Sequence, residues 1–136
     1  MARDGVVLVD TSAWIDVFRK PSRLRLEDVV EFDEIVTCLP VVQEVLQGFA
    51  GDIAFRTARD AMLALPIVES PIGERVYLDA IDLYRRGRRA GVTIRSGVDC
   101  LIAACAIRHG LTVLHNDRDY TALARISELQ ERQTPR

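Results

Sequence analysis

Apolar positions along the chain follow two rhythms. Short, strongly apolar runs at residues 6–9, 35–39 and 111–114 have the length and composition of buried parallel strands. Between them, apolar residues recur at spacings of three and four, the period of a helix with one buried face. Residues 11–19 read as a short helix with Trp14, Ile15 and Phe18 on one side. Pro21 breaks it, and Ser22 opens a second helix reaching about residue 32, with Leu24, Val29, Val30 and Phe32 available for burial. Pro40 starts a third, whose stripe is Val41, Val42, Val45, Leu46 and Phe49. Asp52 caps a fourth, running to Leu65, and a brief extended segment follows at 65–69. Residues 74–90 form a long helix with Val76, Tyr77, Ala80, Ile81 and Tyr84 inward, ending in Arg85, Arg86, Arg88 and Arg89. Residues 97–109 are apolar almost all round, which marks a central helix buried on most sides. A helix over 117–126 and an edge strand over 128–132 complete the series, and the tail from Gln133 is expected to fray. Strands alternating with helices predict an α/β fold: a mainly parallel sheet of four or five strands, covered on both faces.

Bulk properties narrow the function classes without choosing among them. The chain has 136 residues, enough for one domain over 1–136 with a proper core, and its formal net charge is −2. There is thus no global basic signal for nucleic acid. Lys20 is the only lysine, so the cations are almost all arginines, whose planar forks suit phosphate and carboxylate. Cys38, Cys100 and Cys105 lack metal-ligand spacing and read as buried thiols of a reducing compartment. Neither a signal peptide nor an apolar stretch of about 18 residues is present, so a cytoplasmic protein without membrane contact is expected.

The candidate chemistry lies where the apolar runs stop. Residues 6–9 end on Asp10, followed by Thr11 and Ser12; residues 111–114 run into His115, Asn116 and Asp117. If both strands are central and parallel, the two acids share the crevice at the strands' carboxyl ends. Each acid could equally be no more than a helix N-cap. Asp99 is more informative, because it sits in the first turn of a helix that has no obvious polar face. Its bland alternative is a capping box with Ser96. Glu44 lies on the shoulder of the valine stripe, where the helical wheel does not choose between solvent and a site. Four converging carboxylates would repel one another, and a divalent cation removes that difficulty. All-oxygen ligands without a His or Cys cluster select Mg²⁺, with Mn²⁺ able to substitute. Such a site suits hydrolysis of phosphodiesters.

V-L-V-D-T-S, V-V-Q-E-V-L-Q-G, S-G-V-D-C-L-I-A-A-C-A and T-V-L-H-N-D-R-D-Y, in that order, resemble the PIN-domain ribonucleases. The likeness is greatest to the VapC-type toxins of bacterial toxin–antitoxin modules, and it covers essentially the whole chain. It implies a three-layer α/β/α fold, with Asp10, Glu44, Asp99 and Asp117 as the acidic quartet and Asp10, Asp99 and Asp117 as metal ligands. Asp119 would be auxiliary, with an exposed first-turn position as its alternative, and Thr11 or Ser12 would support the site through a hydroxyl. The implied activity is Mg²⁺- or Mn²⁺-dependent endonucleolytic cleavage of RNA, leaving a 3′-hydroxyl and a 5′-phosphate. A homodimer and a VapB-type antitoxin partner are implied as well. Arg95, beside the proposed site, is a candidate for binding RNA phosphate. The Arg85–Arg89 cluster could contact RNA or antitoxin, or be a solvated helix end. Trp14 and His109 read as structural, and so does His115, whose place at a strand end leaves it as an alternative neighbour of the site. The rival is a non-catalytic PIN-like module that holds RNA or protein. A receiver-type phosphoacceptor would need a lysine after a late strand. A haloacid-dehalogenase-like phosphatase would need an Asp where Ser12 stands.

Overall fold

The structure is a computed structural model and describes residues 5–135. Four strands form one sheet: β1 (Val7–Val9), β2 (Ile35–Val36), β3 (Thr112–His115) and β4 (Gln130–Gln133). Their order is β2-β1-β3-β4, and every pairing is parallel. Six α-helices connect and cover them: α1 (Thr11–Phe18), α2 (Leu39–Gln47), α3 (Asp52–Leu63), α4 (Glu74–Arg89), α5 (Gly97–His109) and α6 (Arg118–Arg125). The three-layer α/β/α architecture expected from the alternation is the one found.

The topology places the site. From β1 the chain first moves outward to β2, and later returns to lay β3 on the other side of β1. The strand order therefore reverses between β1 and β3, the switch point at which open parallel sheets leave a crevice. Val9 pairs with Leu114, and the Asp10 N–H donates to the Leu114 carbonyl at 2.9 Å. Asp10 and the His115–Asp117 segment thus leave the sheet side by side. The extended segment at 65–69 touches the sheet only through a parallel bridge between Thr37 and Ile67.

The core is built from the apolar strands and from α5, which buries Cys100, Ile102, Ala103, Ala104, Cys105 and Ala106. Its small side chains let neighbouring elements approach closely. Gly110 ends the helix in the left-handed region (φ 65°), where a Cβ would be strained. All three cysteines are free and buried. Among the described residues no helix is long and apolar enough to cross a membrane.

Several expectations are corrected. Residues 22–32 form no α-helix; they run as coil with a 3₁₀ turn at Leu26–Asp28, followed by another at Phe32–Glu34. The Ser22 hydroxyl donates to the Leu24 carbonyl instead of capping a helix. The residues this segment buries, Leu24, Leu26 and Val30, do not share one helical face, and Phe32 is 79% exposed. On α4 the buried stripe is Val76, Ala80, Leu83 and Gly87, whereas Tyr77, Ile81 and Tyr84 are exposed. The helix carries apolar residues on two stripes, and packing against α5 and α6 uses the one with the smaller side chains. Ile15 also faces outward, while Trp14 stacks on Phe18. The tail is tied down as far as Thr134, whose N–H donates to the His115 carbonyl and whose side chain is buried. Arg136 lies outside the described residues.

Candidate metal centre

Asp10 is the N-cap of α1, and it also shares the Tyr120 hydroxyl with Asp99. Its Oδ2 accepts from the Ser12 N–H at 2.9 Å and from the Ser12 hydroxyl at 2.6 Å. Its Oδ1 accepts from the Tyr120 hydroxyl at 2.6 Å. Only 2% of the residue is exposed. The Ser12 hydroxyl in turn accepts from the Asn116 N–H at 2.9 Å, linking the ends of the two central strands. Asp117 is likewise a cap, of α6, with its Oδ1 accepting from the Asp119 N–H at 2.9 Å.

Asp99 is not a cap partner of Ser96, which makes no side-chain capping bond. The Asp99 carboxyl is buried; its Oδ1 lies 3.3 Å from the Tyr120 hydroxyl and its Oδ2 has no partner. Burial, followed by the charges of Asp10 and Asp117, pushes the Asp99 carboxyl up to about 8. A phenol has one proton, and the shorter contact gives it to Asp10. Asp99 therefore meets the phenol oxygen most favourably as a neutral acid, in keeping with its raised pKa. Burial also raises the Tyr120 hydroxyl well above the ordinary tyrosine value, so it remains a donor.

Asp99, Asp117 and Asp119 each offer an oxygen, and these lie within 4.8 Å of one another. Asp119 is not an exposed first-turn residue: it is 2% exposed. Its Oδ2 accepts from the Arg95 N–H at 3.0 Å and its Oδ1 from Arg95 Nε at 3.3 Å. Arg95 Nη2 reaches on to Asp117 Oδ1 at 3.0 Å. Glu44 is half-buried and outside the three-acid cluster, accepting from the Thr11 hydroxyl at 2.8 Å. Asp10 is joined to Asp99 through Tyr120, and Glu44 to the Asp10 turn through Thr11.

Tyr120 carries a role that sequence reasoning missed, and His115 combines the structural role expected of it with a place beside the site. Tyr120 is wholly buried, three residues after Asp117 on α6, and bridges two acids from different layers. A clue existed, because a phenol at helical spacing behind two acids needs a partner if its ring enters the core. His115 is fully buried, and its Nδ1 accepts from the Asp117 N–H at 3.1 Å. That bond leaves the proton on Nε2, which donates to Glu131 at 2.7 Å. The ring therefore fixes the backbone that presents Asp117. His109 is structural as expected, pairing with Glu69 at 2.8 Å. Arg86 pairs with Asp82 and donates to the Ile126 carbonyl, so this member of the arginine cluster supports the helix packing.

The donor set is all oxygen, and the orphaned, buried Asp99 Oδ2 is an acceptor lacking a cation or a donor. Both features fit a hard divalent ion. The fold and this acidic crevice define a class, and the PIN domain family model matches residues 7–126; the chain belongs to that family. It is 39% identical over 132 residues to the VapC ribonuclease Mb1587 of Mycobacterium bovis and to ribonuclease VapC11 of Mycobacterium tuberculosis. Those alignments cover 92% of this chain and 96% of each relative. Among solved structures, VapBC2 from Rickettsia felis bound to a promoter DNA fragment superposes with a TM-score of 0.75 at 18% identity, covering 96% of this chain and 99% of that one. VapBC-5 from Mycobacterium tuberculosis gives 0.68 at 22% identity, with coverage of 96% and 99%. At such identities the superpositions establish the fold.

Proposed function

We propose that this chain is a divalent-metal-dependent endoribonuclease, the toxin of a toxin–antitoxin pair. The observation that supports the reading is the cluster of Asp99, Asp117 and Asp119 at the switch point, with Asp10 joined to Asp99 through the Tyr120 hydroxyl and Asp99 Oδ2 buried and unpartnered. The mycobacterial relatives are named ribonucleases, and they are similar along nearly their whole length. Asp10, Asp99 and Asp117 would hold Mg²⁺, with Mn²⁺ able to substitute, and Glu44 would complete the catalytic quartet. When bound, the cation would polarise the phosphodiester and acidify a water. The protein supplies orientation: Ser12 and Tyr120 aim Asp10, His115 aims Asp117, and Thr11 aims Glu44. Arg95 would contact the RNA phosphate. A VapB-type antitoxin is the expected partner, since structural neighbours were solved as VapBC assemblies. In the homodimer expected of this chain, the exposed α4 stripe of Tyr77, Ile81 and Tyr84, beside Val98, would pack against the second copy. Ile81→Arg should then yield a monomer in sedimentation.

The central test is Asp10→Asn. The purified variant should fold and lose RNA cleavage, while the wild-type protein should lose cleavage with a chelator and regain it with Mn²⁺. Cleavage by Asp10→Asn at the wild-type rate would refute the assignment. RNA binding without cleavage, with or without metal, would favour the non-catalytic module.

A further inference from the structure

We propose that Arg95 is the internal counter-cation of the acidic pocket, and that it exchanges Asp117 for an RNA phosphate when a divalent cation enters. The inference rests on the metal reading above and concerns how metal and substrate binding are coupled.

Arg95 makes three contacts of two kinds. Its backbone N–H and its Nε engage both oxygens of Asp119, a carboxylate that is almost wholly buried. Its Nη2 reaches Asp117, whose side chain is 26% exposed. Asp119 is thus the anchor and Asp117 the exchangeable partner. Asp117 Oδ1 already accepts two hydrogen bonds, from Arg95 Nη2 at 3.0 Å and from the Asp119 N–H at 2.9 Å. A cation on that oxygen must displace one donor. The Asp119 N–H belongs to the first turn of α6 and cannot leave without unwinding it. The Arg95 side chain is 51% exposed and can move.

Electrostatics point the same way. The guanidinium contributes a full positive charge beside three acids whose oxygens lie within 4.8 Å of one another. It therefore offsets their repulsion when no metal is bound, and opposes a metal when one arrives. Once Nη2 leaves Asp117, the group stays tethered through Nε to Asp119 at the lip of the site. There its free N–H donors suit a phosphodiester oxygen. Metal binding would thereby release the group that grips the substrate, and by reciprocity bound phosphate would strengthen metal binding.

Calorimetric titration of Mn²⁺ alone into the full chain, wild type against Arg95→Gln, reads the exchange directly. Removing the charge should tighten Mn²⁺ binding by about fivefold or more, whereas Arg95→Lys, which keeps the charge, should stay near wild type. RNA cleavage by Arg95→Gln at saturating metal should fall by at least about tenfold, so the two effects carry opposite signs. Side-chain NMR during Mg²⁺ titration should move the Arg95 Nη signals while Nε holds its position. Equal or weaker Mn²⁺ affinity in Arg95→Gln, unchanged cleavage, or Nη signals indifferent to saturating Mg²⁺ would overturn the inference alone. No Mn²⁺ binding by either protein would remove the metal reading and this inference together.

Discussion

Asp99→Asn should make the metal-free protein more stable while abolishing its activity. The Asp99 carboxyl is raised from 3.8 to about 8 by burial and by its acidic neighbours. Between those values the folded state binds a proton that the unfolded state has released. Stability from this group is fully present below about pH 4 and drains away as pH rises through about 8. At 1.36 kcal/mol per unit, the full linkage is roughly 4 kcal/mol at pH 7 and roughly 6 at pH 9. Water at the mouth of the site screens the interaction, so about half of each figure is expected. An amide in place of the carboxyl carries no charge and can donate to a neighbouring acid. The variant should match wild type near pH 4, exceed it by about 2 kcal/mol at pH 7, and melt about 5–10 °C higher. Urea unfolding with a chelator present, at pH 5, 7 and 9, measures this. Mn²⁺ should then stabilise the wild type and not the variant. A variant less stable than wild type at pH 9, or with the same pH slope, would refute the claim that Asp99 is held protonated by its surroundings.

Other changes test the supports of the site. Tyr120→Phe keeps the ring and removes the hydroxyl, leaving buried Asp10 Oδ1 without its donor; urea unfolding should show a loss of about 1–2 kcal/mol. His115→Ala opens a cavity in the core and frees the Asp117 backbone. Stability should fall by about 3 kcal/mol, and Mn²⁺ titration should show weaker binding. Thr11→Val removes the donor from half-exposed Glu44, so stability should change by less than about 1 kcal/mol while cleavage slows.

Much of this molecule could be read along the chain. Alternating strand and helix patterns located β1, β3 and all six helices to within a few residues, because a parallel sheet buried on both faces demands near-continuous apolar runs and its covering helices a single buried stripe. The missing accuracy lies at residues 22–32, where scattered apolar residues fill a gap without following a helical period, and on α4, where two apolar stripes compete. The α6 helix was expected to begin at Asp117, which instead caps it.

The site divides along the same line. Local sequence was enough to mark Asp10, Asp99 and Asp117, since each acid interrupts an apolar pattern where charge is costly. Whether they meet is a property of strand order, which places β1 beside β3 although more than a hundred residues separate them. Packing alone set Tyr120 between two acids, turned Asp119 inward to hold Arg95, and left Asp99 Oδ2 without a donor. Those are distances between side chains from separate elements, and hydrophobic period carries no record of them. The sequence by itself determined where the strands and covering helices form, while which of the two apolar stripes of α4 avoids water depended on packing. Only the tertiary structure decided which charges face one another and which of them a cation would have to satisfy.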